Sequence, residues 1–153
     1  KAFQEFKKID GVKILADNVE DRLGVLSFYL EEVHFNIVVK LLNDRLGIQV
    51  RGGCACAGTY GHFLLDVSYD KSKQITDLIN HGDLSQKPGW IRASLHPTMT
   101  DLELDTLING VREISKNHKE WGKDYIYNKH TNEFRHKDEP EDKTENVRAW
   151  FKF

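Results

Sequence analysis

Between Gly52 and Gly61 four residues in ten are glycine, and both cysteines of the chain, Cys54 and Cys56, lie among them. Glycine at this density permits positive φ and close approach of the backbone to another surface. The stretch is therefore expected to be a loop of small residues, with the regular elements on either side of it. A loop held between rigid elements is a place for chemistry. The plainer alternative is that each thiol is only a small buried hydrophobe.

Upstream, Phe3, Phe6 and Ile9 recur at helical spacing, so residues 1–8 are expected to be helical until Gly11 breaks the pattern. Val12 to Leu15 reads as a short strand. Gly24 to Leu30 is β-branched and aromatic and reads as a second. From His34 to Leu46, Phe35, Val38, Val39, Leu42 and Leu46 form one helical face, with Gly47 as its left-handed terminator. Ile48 to Arg51 is expected to be the next strand. Downstream of the loop, Phe63-Leu64-Leu65 reads as a short helical or buried segment, and Ser72 to His81 as a helix. Trp90 to Leu95 alternates as a strand, with Arg92 as its odd member. Thr100-Asp101-Leu102-Glu103 is a capping box, and Leu104, Leu107, Ile108, Val111 and Ile114 carry the buried stripe of the helix behind it. Gly110 inside that stripe suggests a close helix crossing. Tyr125 to Asn128 and Asn132 to Arg135 flank a turn and predict a hairpin. Residues 136–146 read as a charged linker, and Val147 to Phe153 as an aromatic tail that docks on the fold.

Strands mixed with helices, without sustained βαβ alternation, predict an α+β fold: a small, mostly antiparallel sheet with helices packed on one face. The chain has 153 residues and a net charge of -2, so one core suffices. Neither nucleic acid nor an anionic membrane is expected as a partner. No apolar run reaches membrane-spanning length. Two cysteines separated by one residue make no disulfide framework, which fits a reducing, cytoplasmic setting.

Three groups of side chains invite chemistry. Cys56 is a nucleophile if nearby cations or amides favour its thiolate, and Arg51 and His62 are near in sequence. Cys54 either resolves a sulfur intermediate or packs. Cys54, Cys56 and His62 offer three metal ligands, but the one-residue spacing and the missing fourth ligand argue against a zinc site, and no metal is expected. Arg92 in an apolar strand needs a carboxylate, because an unpaired buried charge is costly. A guanidinium grips a carboxylate bidentately, so Arg92 pairs either with a structural Asp or Glu or with a ligand.

Taken together these stretches resemble one family. Gly47-Ile48-Gln49-Val50-Arg51-Gly52-Gly53-Cys54-Ala55-Cys56-Ala57 resembles the G-I-x-V-R-x-G-x-x-C-A segment of class V aminotransferases and cysteine desulfurases, which are fold-type I pyridoxal-phosphate enzymes. Arg92-Ala93-Ser94-Leu95 followed by Thr100 and Glu103 resembles their R-x-S-x…T-x-x-E segment, and Arg22 to Phe28 resembles their R-x-G-x-x-S-F strand. The ordered likeness runs from about residue 3 to residue 115. It implies the C-terminal small domain of such an enzyme over residues 1–118, with residues 119–153 as an extension. By the same likeness Cys56 would carry a persulfide and Arg92 would bind the substrate carboxylate. Arg51, Gly53, Cys54 and His62 would flank them on an active-site loop hinged at Gly52, Gly53, Gly58 and Gly61.

The loop after Cys56 and the pair Thr98-Met99 depart from the desulfurase pattern. Sulfur transfer, transamination, elimination and epimerisation therefore stay open. No stretch resembles a Schiff-base lysine motif, a pyridine-binding Asp or a phosphate cup. The chain also starts at Lys1 without Met. The expectation is a fragment of a homodimeric enzyme acting on an amino acid, with pyridoxal phosphate held by an absent large domain and no activity in the fragment alone. The alternative is a free-standing interaction or sulfur-acceptor module.

Overall fold

Four short strands alternate apolar and polar side chains, so their sheet has one dry face and one polar face. The computed structural model describes residues 1–54 and 58–139. The strands are β1 (Val12–Ile14), β2 (Val25–Leu30), β3 (Arg51–Gly53) and β4 (Trp90–Ser94), in the order β1-β2-β4-β3, with every pair antiparallel. On the dry face Ile14 sits opposite Phe28, Phe28 opposite Ile91, and Leu26 opposite Ala93; all five are buried. On the other face Ser27 sits opposite Arg92, and Arg92 opposite Arg51. The expected α+β architecture is what is found.

Three helices cover the dry face. α1 (Ala2–Phe6) delivers Phe6, whose ring meets Phe28 edge-on at 4.9 Å. α2 (Phe35–Leu46) buries Val38, Leu41 and Leu42 completely, and α5 (Asp101–Trp121) buries Val111 and Ile114. Each such side chain contributes about 1.5–3 kcal/mol, as an upper bound. The capping box forms as expected: the Glu103 amide donates to Thr100 Oγ1 at 3.2 Å, and the Thr100 amide donates to a Glu103 carboxylate oxygen at 2.7 Å. The close crossing expected at Gly110 is with α2. A Cβ there would stand 2.9 Å from a Leu46 methyl and 3.2 Å from an Ile48 methyl.

Around the glycine-rich stretch the elements shift from their expected places. Gly47 is left-handed at φ 65° and turns the chain, and the Ile48 amide then bonds back to the Leu42 carbonyl at 2.9 Å. That fold-back keeps Ile48–Val50 out of the ladder, so the strand begins only at Arg51. Arg51, expected to end this strand, begins it, and Gly53, expected on the glycine loop, is its last residue. Gly58 and Gly61, expected as hinges, lie in a short helix, α3 (Gly58–Leu64). Gly61 is buried there because a Cβ would stand 3.2 Å from the Trp90 ring; the glycine serves close packing. Phe63 is helical but 79% exposed. α4 (Tyr69–Asn80) starts three residues earlier than expected, because Ser68 caps it by accepting from the Lys71 amide.

The expected hairpin forms as β5 (Tyr125–Asn128) and β6 (Glu133–His136). It docks on α2. Tyr125 is buried and its hydroxyl donates to Asp44 at 3.1 Å, and the Asn36 amide group donates to the Asn132 carbonyl. His34 caps α2, its Nδ1 accepting the Asn36 amide at 3.1 Å. Its ring lies 4.7 Å from Phe35, 5.2 Å from Tyr127 and 5.4 Å from Phe134. Burial pushes its pKa below the ordinary imidazole value, opposed in part by the Asn132 side chain. The unfolded chain therefore takes up the proton first. Stability is complete above an unfolded pKa of about 6.5 and declines as pH falls from there toward the folded value. The melting temperature of the native chain is expected to fall more steeply between about pH 7 and about pH 5.5 than that of His34→Asn, which keeps a capping acceptor without the titration. Parallel melting curves across that range would count against this role.

Of the charged linker expected at 136–146, His136 instead ends β6 and residues 137–139 form a turn, with Glu139 3.3 Å from Lys40; residues 140–146, the aromatic tail expected at 147–153 and residues 55–57 lie outside the described residues. Among the described residues, no helix is long and apolar enough to cross a membrane.

Candidate active-site face

The face of the sheet turned away from α1, α2 and α5 is built from alternate strand residues. The four strands read Val-Lys-Ile, Val-Leu-Ser-Phe-Tyr-Leu, Arg-Gly-Gly and Trp-Ile-Arg-Ala-Ser. They contain three cationic residues and no acidic one, in a chain whose net charge is -2. Two of the cations, Arg51 and Arg92, are direct cross-strand partners. Such partners have Cβ atoms about 4.5–5.5 Å apart, and like charges in that arrangement repel. Arg92 is half-buried and Arg51 exposed. Neither side chain makes a hydrogen bond or an ion pair with any described residue. The structural Asp or Glu partner considered for Arg92 is thus not found among the described residues. Ser27, on the other side of Arg92, places a neutral hydroxyl-bearing residue at the same level of the face.

Gly53 ends β3 opposite Trp90, at φ 117°. That is backbone an L side chain rarely adopts, and it swings the chain out of the ladder into the cysteine stretch. Trp90 is 6% exposed although it lies on the polar face, because α3 covers it through Gly61. Cys54 is a free, half-buried thiol; a Cβ at Gly61 would stand 3.5 Å from its Cβ. Cys54 therefore sits where β3 ends and α3 passes, one residue beyond the strand that carries Arg51. Cys56 lies outside the described residues.

His62 has a different neighbour from the one expected. Its Nδ1 is 2.7 Å from Ser72 Oγ, so the ring ties α3 to α4. Among the described residues no group of three His, Cys, Asp or Glu side chains is placed to hold a metal.

The sequence singled out Arg92 and Arg51 separately. It missed that they meet, and it missed that Trp90 and Ser27 complete that part of the face. The signal was present in the absence of any acid from the four short strands. A guanidinium pair with no carboxylate of a described residue on it has the chemistry to hold an anion that accepts planar, two-pronged hydrogen bonds.

The family model for Aminotransferase class-V matches residues 1–107. Among solved structures, the cysteine desulfurase CsdA of Escherichia coli, in an S-sulfonic acid form, matches with a TM-score of 0.47 and 23% sequence identity, over 75% of this chain and 23% of that one. The chain therefore spans less than a quarter of that relative's length. No curated protein sequence matches. The family match takes in the sheet, α1 to α4, both arginines and both cysteines, and on it the chain belongs to the class-V aminotransferases.

Proposed function

We propose that this chain is the small domain of a pyridoxal-phosphate enzyme that transforms an amino acid, and that it supplies the substrate-carboxylate site and a cysteine-bearing loop. The single observation that carries the reading is the Arg51–Arg92 pair on a sheet face whose strands hold no acid. Arg92, half-buried between Ser27 and Arg51, is the clamp. Arg51 raises the positive potential beside it and favours the anion's approach. Cys54 follows β3 directly, one residue beyond the strand that carries Arg51.

The chain's own described residues do not suit the cofactor. Lys13, the lysine on the arginine face, lies on the far edge strand and pairs with Glu31 at 3.5 Å. Lys40, in a cleft along α2, lies 3.2 Å from Asp44 and 3.3 Å from Glu139. Burial works against its charge, but the two carboxylates outweigh it and hold its pKa above the ordinary value. Both amines are engaged by carboxylates rather than open for covalent attachment of the cofactor. In this reading pyridoxal phosphate is held by residues outside this chain, in a homodimeric, cytoplasmic enzyme that engages neither nucleic acid nor membrane. The chain alone turns nothing over. Residues 119–153 are an extension added to the family domain.

Cys56 divides the reaction classes. In sulfur transfer its thiol takes the sulfur of L-cysteine, leaving alanine and a Cys56 persulfide, and the cofactor supplies the chemistry that breaks the carbon–sulfur bond. The test is alanine release from L-cysteine by the longest natural protein that carries this chain, as wild type and as Cys56→Ala. Alanine from the wild type and a loss of about 10³-fold or more in the variant is the expected result for a covalent carrier. Equal rates would remove Cys56 from the chemistry. If neither protein released alanine, sulfur transfer would be excluded and the carboxylate site would remain to be tried with other amino acids.

A further inference from the structure

The β5–β6 hairpin lies beyond residues 1–107, where the family match ends, yet its contacts lead back to the arginine face. Two glycines show the route. A Cβ at Gly52 would stand 3.0 Å from Phe35 Cδ2, and one at Gly89 would stand 2.5 Å from Phe35 Cε1 and 2.8 Å from its Cδ1. The two backbones therefore rest on one buried ring, Gly52 on one edge and Gly89 on the other. Gly52 follows Arg51 on β3, and Gly89 immediately precedes β4, which carries Arg92. β3 is a three-residue strand at the end of the described sheet, paired with β4. A strand that short opens readily unless side chains pack against it, so the Phe35 ring acts as the spacer between the two strand ends.

The hairpin holds that spacer from the other side. The His34 ring stacks on Phe35 at 4.7 Å and 24°, and Tyr127 and Phe134 flank His34 at 5.2 and 5.4 Å. Asn36 works alongside. Its Oδ1 would stand 3.1 Å from a Cβ at Gly52, and its Nδ2 donates to the Asn132 carbonyl in the hairpin turn. Asn132 is left-handed at φ 60°, a conformation asparagine tolerates better than most residues, and its Oδ1 accepts the Tyr127 hydroxyl at 2.9 Å. The same turn ties down the segment that runs toward Gly89. The Leu84 amide donates to the Lys129 carbonyl at 2.8 Å, His130 Nδ1 lies 2.8 Å from the Gly82 carbonyl oxygen, and Lys129 lies 3.2 Å from Asp83. The hairpin thus grips both the side chains under Gly52 and the run into β4.

We infer that Phe35 is a positioning residue for the arginine pair and that the β5–β6 hairpin is its brace: the ring sets the spacing of β3 from the start of β4, and the hairpin keeps the ring in place. Arg51 and Arg92 are then held at one separation, which suits one two-pronged anion. Phe35 acts through the two strands, from the face of the sheet opposite the arginines. The spacing itself needs only the fold, and its effect on substrate rests on the carboxylate reading proposed above.

Two variants of the longest natural protein that carries this chain test it. Phe35→Leu shortens the spacer and stays apolar, and the double variant Tyr127→Ala, Phe134→Ala leaves Phe35 and removes its brace. Hydrogen exchange reads the fold. Amides of residues 51–53 should exchange about tenfold faster in both variants, with those of β1 within about twofold of the wild type. Unchanged exchange at 51–53 would overturn the inference, and so would equal acceleration in β1, which would mean general loosening. Kinetics with L-cysteine read the site. KM should rise about tenfold in both variants with kcat within about threefold, and KM should rise no further when either is combined with Arg92→Ala, because the spacer acts through that arginine. A further rise of the same size in the Arg92→Ala background would make Phe35 merely structural and overturn its positioning role. Failure of the carboxylate reading looks different: Arg92→Ala alone would leave KM unchanged, and the exchange result would decide the spacer by itself.

Discussion

Phe28→Ala is expected to lower the unfolding free energy by about 3–5 kcal/mol. Phe28 is wholly buried at the centre of β2, with Ile14 opposite on one side and Ile91 on the other, and the Phe6 ring packs against it edge-on. One truncation therefore opens the contact between the sheet and α1 and leaves a cavity that rigid strands close poorly. A domain of this size has about 5–15 kcal/mol of stability in all, so the loss is a large share of it. Urea unfolding checks it: the midpoint should fall sharply with the slope unchanged. A shift worth less than about 1 kcal/mol would mean that α1 collapses into the space, and that the α1–β2 contact is not a rigid part of the core.

Arg92→Ala is expected to separate stability from function. On the proposed reading, kcat/KM of the natural protein for an amino-acid substrate should drop about 10²- to 10³-fold, the worth of a two-pronged charged contact made to the substrate. Arg92→Lys should recover little, because a point-like ammonium does not reproduce the planar fork. The folding stability of the chain, by contrast, should change by no more than about 1 kcal/mol. Removing Arg92 breaks no hydrogen bond or ion pair with a described residue, and it relieves the repulsion from Arg51. A structural arginine would behave the opposite way, with a marked loss of stability and a modest loss of activity. Paired measurements of urea midpoint and kcat/KM on the two variants decide between these roles.

These two residues also show where the sequence was informative. Phe28 was legible as a strand residue because β2 is a contiguous β-branched and aromatic run bounded by turn residues. The helix behind Thr100 was legible because its cap and stripe are encoded within three and four residues of one another. Arg92 was legible as an anomaly, a charge in an apolar strand. None of these needs more than a short window, since helix faces repeat every three to four residues and strand faces every two.

The neighbours of these residues were another matter. Arg51 and Arg92 are 41 positions apart, and nothing local states that they are cross-strand partners. That pairing is fixed by the order β1-β2-β4-β3 and by a register that sends Ile91 and Phe28 into the core and so Arg92 to the opposite face. Gly58 and Gly61 have the composition of a hinge, yet they sit in a helix, where Gly61 lets α3 come down on Trp90. Ile48–Val50 has the composition of a strand, yet the left-handed cap at Gly47 folds it back over the end of α2. The sequence by itself determined the elements, the family and one suspicious arginine, because those are written in local periodicity and ordered motifs. Only the tertiary structure placed the second arginine beside the first and left both without a carboxylate among the described residues. Which distant strand residues become neighbours is decided by how the whole hydrophobic face is buried at once.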